Sequence, residues 1–255
     1  MTVCSRASGE RILCLRLSGL GDVVHCLNAL SALRRHRPDA HITWMVEDRF
    51  SGLLEGHPHI DELLCIPRTD WGRMVASPLR WAQVIPELIV LGQRLRRRRF
   101  DVSIDFQSSL KSAWLVAAAA ARLRIGFARP VSREFNRVVQ NRLVTVPKDD
   151  YHRIERYLAL LAPLGIPPRF VPAAFPPADE QASAVDCAVA ELSDPLVVIH
   201  PGTSRFASFK RWPAQRYAEL AERLAHERGA SIVVTWGSDE RGLAEQVVQE
   251  AAGCA

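Results

Sequence analysis

The sequence predicts an α/β protein made of two units with parallel sheets. Three observations carry this. Short apolar runs alternate with stretches of helical period, which is the pattern of βαβ units. The alternation stops once, at a proline-rich stretch, and then restarts. The 255 residues, 48% of them apolar, suffice for two compact domains with their own cores.

The elements follow in order. RILCLRL (11–17) reads as a strand, and 22–36 as a helix stopped by Pro38. HITWMV (41–46) is a second strand, followed by a short helix near 49–55 and the strand LLCI (63–66). A long helix over about 79–99 contains Pro86, which is expected to begin or kink it. DVSIDF (101–106) is the next strand, 108–121 a helix and RIGFA (124–128) a short strand. YHRIERYLALLAPLGI (151–166) has apolar residues at helical spacing and ends at Gly165. PPRFVPAAFPPADEQ (167–181) carries five prolines between Pro167 and Pro177 and reads as an interdomain linker. Then come the strand PLVVIH (195–200), a helix over 213–228, the strand SIVVTW (231–236) and a helix over 239–251. The expected domains are therefore 1–166 and 182–255.

Several classes are excluded. No run approaches the roughly 18 uncharged apolar residues of a membrane span. Arg and Glu interrupt the N-terminal stretch before any signal-like apolar run, so secretion is not expected. The six cysteines show no CxxC pair and no metal spacing, which reads as reduced thiols in a cytosolic protein. The formal charge of +5 and a pI near 9.1 suit an acidic ligand or an anionic surface.

Open α/β sheets bind ligands beyond the carboxyl ends of their strands, which directs attention to four turns. The first is SGLGD. It is not the dinucleotide fingerprint, because Val24 stands where Gly or Ala belongs. An isolated Asp22 there reads first as a helix N-cap. Gly19 and Gly21 favour something more, because they let backbone approach a ligand and present the carboxylate. His25, one turn on, reads as a packing or surface residue. The turn HPGTSRFASFKRWP (200–213) is its opposite in charge. Gly202, Thr203 and Ser204 offer hydroxyls and backbone N–H groups, Lys210 a cation, and Arg205 and Arg211 add to it. Pro213 suits the first position of the next helix. This is a cradle for a diphosphate, without the Walker spacing. An acid on one unit and an anion cradle on the other suit displacement of a nucleoside diphosphate by a hydroxyl.

Three stretches together resemble glycosyltransferase family 9, the ADP-heptose:lipopolysaccharide heptosyltransferases. They are LSGLGDVVHCLNAL (17–30), FDVSIDFQSSLKSAWL (100–115), and HPGTSRFASFKRWP with VVTWGSDE (233–240). The resemblance implies a GT-B architecture, two Rossmann-like domains with the active site between them. It implies an inverting transfer of heptose from ADP-heptose to Kdo of a lipid A–Kdo acceptor, at the cytoplasmic face of the inner membrane, with no metal or other cofactor. It places the general base at Asp22, a sugar- or acceptor-side lysine at Lys111, the diphosphate cradle at Thr203, Ser204 and Lys210, and a ribose-binding acid at Glu240, with Asp239 as the register alternative. Taken alone, Lys111 reads as a solvated helix lysine. The family pattern continues through further strands and a DxGxxH motif that this sequence does not contain, so the second domain is expected to be incomplete. A remnant that binds acceptor or anion without catalysis, and a nucleotide-binding oxidoreductase, are the alternatives; the absence of GxGxxG speaks against the latter.

The run GQRLRRRRF (92–100) has two readings. Arg94, Arg96, Arg97, Arg98 and Arg99 form either a solvated helix end or a contact with anionic lipid. Nucleic acid is not expected, since no recognition motif or aromatic platform accompanies them.

Overall fold

The structure is a computed structural model that describes residues 9–67, 81–131, 136–146, 152–176, 180–203, 205–237 and 240–251. The chain divides into two compact units, residues 1–177 and 178–255.

Unit 1 holds a six-stranded parallel sheet. Its strands are β1 (Arg11–Leu15), β2 (His41–Glu47), β3 (Glu62–Ile66), β4 (Val102–Asp105), β5 (Leu123–Phe127) and β6 (Arg142–Val144). The order β3-β2-β1-β4-β5-β6 reverses direction at β1, as in doubly wound sheets. β1 is a continuous apolar run because both its faces are covered. Ile12 and Cys14 point into one core, Leu13 and Leu15 into the other. Helices α1 (Leu20–His36) and α4 (Arg153–Ala159) cover the first face. Helices α2 (Trp81–Arg97) and α3 (Leu110–Ala119) cover the second. Burial pushes the Cys14 thiol up to about 12, so it packs as a small apolar group.

Three expectations need correction here. Of the two roles expected for Pro86, beginning the long helix is excluded, because the helix runs through it. The strand β6 was absent from the sequence reading, because RLV is short and lacks alternation. The stretch expected to be a linker is fastened to unit 1 over residues 167–176. Asn28 Nδ2 donates to Val171 O at 2.7 Å, His57 Nε2 donates to Ala174 O at 2.9 Å, and Ala174 N donates to Ser31 Oγ at 3.1 Å. Prolines remove backbone donors, so side chains of α1 and of the loop before β3 supply the bonds. From Glu180 the chain is already helical, as α5 (Glu180–Val189).

Unit 2 contains two parallel strands, β7 (Leu196–Ile199) and β8 (Ser231–Val234), with α6 (Ala214–Arg228) and α7 (Arg241–Glu250). Pro213 is the N-cap of α6, one residue before the expected position. Ile199 and Ile232 pack with Ala218 and Ala221 of α6. The other face of β7 is open, with Val198 59% exposed. The apolar sequence of these strands suits burial on both faces, but among the described residues helices of this unit cover only one. Among the described residues no helix is long and apolar enough to cross a membrane.

A core of this size leaves a thin margin. We expect backbone amides of β7 and β8 to exchange with deuterium faster than those of β1 and β4. Equal protection in the two sets would refute this.

Candidate functional site

The turn after β1 is built around Asp22. The chain leaves the sheet at Leu15, passes Arg16, Leu17 and Ser18, and enters α1 through Gly19, whose φ is +85°. Only glycine adopts that conformation without strain. A Cβ on Gly19 would also lie 3.0 Å from Asp22 Oδ2 and 3.3 Å from an Arg16 terminal nitrogen. Gly21 meets nothing within 4 Å and leaves the surface of the first helical turn uncovered. Asp22 is the third residue of α1 and caps nothing; the N-cap is Gly19, without a side-chain bond. The N-cap reading of Asp22 is therefore wrong, since its carboxylate turns outward to other partners.

Those partners are three. Arg16 donates to Asp22 Oδ2, Arg153 to Oδ1, and the Tyr157 hydroxyl to Oδ1 at 3.2 Å. Arg16 is buried and held in place, donating through Nε to Ser18 O and through Nη1 to Phe106 O, both at 3.0 Å. Its guanidinium also lies 5.8 Å from the centre of the Tyr157 ring. His25 sits edge-on to His152, with ring centres 5.5 Å apart. Burial, and next the His152 charge, lower the pKa of His25, which favours the neutral ring. Its Nδ1 is buried without a partner.

The turn after β4 locks onto the turn after β1. Gln107 Oε1 accepts from Leu17 N at 3.1 Å and Ser18 N at 3.2 Å, and its Nε2 donates to Ser18 Oγ at 3.1 Å. Asp105 fixes Gln107 in turn. Its Oδ1 accepts from Gln107 N at 2.9 Å and Ser108 N at 3.0 Å; its Oδ2 accepts from Ser112 Oγ at 2.8 Å and Asn136 Nδ2 at 2.7 Å. Burial raises the pKa of this carboxyl against the opposing pull of those bonds. Ser108 is in the left-handed region, φ +53°, and its buried Oγ has no partner. Lys111 is exposed on the first turn of α3, beside the Ser109–Ser112 capping box.

In unit 2 the turns after β7 and β8 meet through Glu240. Arg211 donates to Glu240 Oε1 at 3.0 Å, through Nε to Thr203 Oγ1 at 2.9 Å, and to Thr203 O. Glu240 Oε2 accepts from Gly237 N at 3.2 Å and lies 3.5 Å from His200 Nε2. A Cβ on Gly202 would overlap the Glu240 carboxylate, so the glycine is required by close approach. His200 Nδ1 is 3.1 Å from Thr235 Oγ1. Lys210 is exposed, its ammonium 5.8 Å from the Phe209 ring centre.

The structure thus joins Gly19 with Asp22, and Gly202 and Thr203 with Glu240. Lys210 stands outside the hydrogen-bonded set drawn here, and Arg211, given a minor part from the sequence, binds both Thr203 and Glu240. Ser204 and Asp239 lie outside the described residues. Sequence reasoning missed Arg16, Gln107, Asp105, Arg153 and Tyr157. A charge within the apolar run RILCLRL was a signal for Arg16; Arg153 and Tyr157 gave none, because they lie in an ordinary amphipathic pattern.

The family model described as glycosyltransferase family 9 (heptosyltransferase) matches residues 88–255. Lipopolysaccharide heptosyltransferase 1 of Pseudomonas aeruginosa is 31% identical over 89% of this chain and 61% of its own length. Lipopolysaccharide core heptosyltransferase OpsX of Haemophilus influenzae is 26% identical over 90% of this chain and 60% of its own. The chain therefore spans about three fifths of the length of these two relatives. A family 9 glycosyltransferase from Veillonella parvula superposes with a TM-score of 0.74 at 21% identity, over 95% of this chain and 67% of that one. The E. coli heptosyltransferase WaaC, solved with ADP-2-deoxy-2-fluoro heptose, superposes at 0.70 and 23%, over 95% and 74%. The fold is thus that of the GT-B heptosyltransferases, and the chain belongs to glycosyltransferase family 9.

Proposed function

We propose that the chain acts in an inverting transfer of heptose from ADP-heptose to Kdo of the lipopolysaccharide inner core, with a lipid A–Kdo acceptor. The observation that carries the reading is Asp22, a carboxylate held at the carboxyl end of the central strand with its side chain 18% exposed. The relatives' names supply heptose transfer to lipopolysaccharide, and the ligand of the E. coli structure supports a nucleotide-sugar donor.

In this reading Asp22 takes the proton of the acceptor hydroxyl. A sugar hydroxyl is a very weak acid, so the proton moves as the new glycosidic bond forms, and position matters more than base strength. Arg16 and Tyr157 supply that position. Thr203, Ser204 and Lys210 hold the diphosphate that leaves, and Glu240 the ribose. Arg211 shapes this loop by holding Thr203 against Glu240. Lys111 lies on the acceptor side. The enzyme works in the cytoplasm, peripheral to the inner membrane, and the arginines at the end of α2 meet anionic lipid. Arg98 pairs with Glu62, which raises its pKa, while Arg94, Arg96, Arg97 and Arg99 are exposed.

The direct test is turnover of ADP-heptose with Kdo–lipid A. Asp22→Asn should lower the rate by about 10²–10⁴ and spare ADP affinity. Near-normal turnover by a folded variant would sink the assignment.

Lys210→Ala should weaken ADP binding by about 1.5–3 kcal/mol without lowering the melting temperature. Gly202→Ala should weaken ADP binding and lower the melting temperature together, because the new methyl displaces Glu240. Unchanged ADP affinity by calorimetry in both variants would move the cradle elsewhere.

Replacing Arg96, Arg97 and Arg99 with Ser should reduce sedimentation with anionic vesicles, each cation contributing about 1 kcal/mol near such a surface. Equal sedimentation of variant and parent would favour the solvated-face reading.

A further inference from the structure

We propose that Arg153 is a gate on Asp22: it covers the carboxylate oxygen that faces the acceptor, and uncovers it by moving onto a carboxylate of the acceptor itself. This rests on the reading of Asp22 as the base.

The two arginines on Asp22 differ in their freedom. Arg16 has a side chain 9% exposed, and its other nitrogens bond Ser18 O and Phe106 O. Moving it would leave those carbonyls without their donor in a buried site, which is costly. Arg153 has a side chain 60% exposed and starts from the first residue of α4. The Arg153 end of this ion pair is open to solvent, so a competing carboxylate can reach the guanidinium. The neighbouring Glu155 does not compete, because its Oε2 accepts from His152 N at 3.1 Å.

The two arginines also bind different oxygens. Arg16 occupies Oδ2, while Arg153 shares Oδ1 with the Tyr157 hydroxyl. An acceptor hydroxyl that donates to Oδ1 needs the place Arg153 fills. Charge points the same way. Two guanidinium groups surround one carboxylate, and His25 adds no charge while burial keeps its ring neutral. One further anion balances the site, and a sugar acid brings it on the molecule that brings the hydroxyl. With Arg153 on the acceptor carboxylate, the hydroxyl reaches Oδ1. Its oxygen then bonds the donor's anomeric carbon, the bond to the diphosphate breaks with its electron pair leaving on the diphosphate, and the proton passes to Asp22. A neutral sugar would leave the gate shut.

The test is a titration of the full chain with Kdo methyl glycoside and with its methyl ester. It is read by the Arg153 Nε–Hε resonance, identified by its loss in Arg153→Lys, and by dissociation constants for the parent, Arg153→Ala and Arg153→Lys. The parent should bind the acid about tenfold or more tighter than the ester. The Arg153 resonance should shift with the acid alone, and that of Arg16 should stay. Arg153→Ala should lose the preference and Arg153→Lys should keep part of it. A preference retained in Arg153→Ala, a shift of Arg16 instead, or no binding of either sugar by the parent would overturn the gate. Because the readout is binding, it is separate from catalysis: turnover surviving in Asp22→Asn would refute the base while the titration reports the exchange itself.

Discussion

The arrangement of unit 1 at the carboxyl end of its sheet depends on one buried cation. Arg16 emerges from the central strand into a site where an unpaired guanidinium would be far costlier than any single packing contact. It is satisfied by the carbonyls of Ser18 and Phe106 and by the Asp22 carboxylate. Those bonds tie the end of β1 to the end of β4 and to the first turn of α1. Its face against the Tyr157 ring adds α4. Four elements thus converge on one side chain, and Asp22 inherits its position from them.

A buried carboxyl group does the same work one strand over. Asp105 accepts from the backbone of Gln107 and Ser108 and from the side chains of Ser112 and Asn136. Its anchoring of Gln107 holds the backbone of Leu17 and Ser18 through the Gln107 amide. Networks of this kind stabilise one arrangement only when each member has its partners, and among the described residues the Ser108 hydroxyl and Gln140 Oε1 are exceptions. The Ser108 hydroxyl sits at a left-handed residue, where strain persists only if the surroundings impose it.

Unit 2 solves a similar problem with less material. Its two turns are joined by Glu240, which lies across Gly202 and is neutralised by Arg211. Arg211 thus holds Thr203, while Lys210 reaches solvent.

The sequence by itself determined the alternation of strands and helices, the division into two units and the glycine-bearing turns after 17 and 200. Each of these follows from local pattern: apolar runs, helical period, prolines and glycines next to an acid or to hydroxyls. Asp22 stood out in the sequence because glycines frame it, and Glu240 because its motif resembles the family's. Tertiary structure decided the rest. Arg153 and Tyr157 lie more than 130 residues from Asp22, and nothing local distinguishes them from surface and core positions of a helix. The proline-rich stretch looked free because its prolines lack donors, yet Asn28, Ser31 and His57 fasten it. Arg211 was read as one more cation of the anion cradle until Glu240 was brought beside it. Side-chain partners distant in sequence leave no periodic trace, and only the folded chain selects among the charges that could pair.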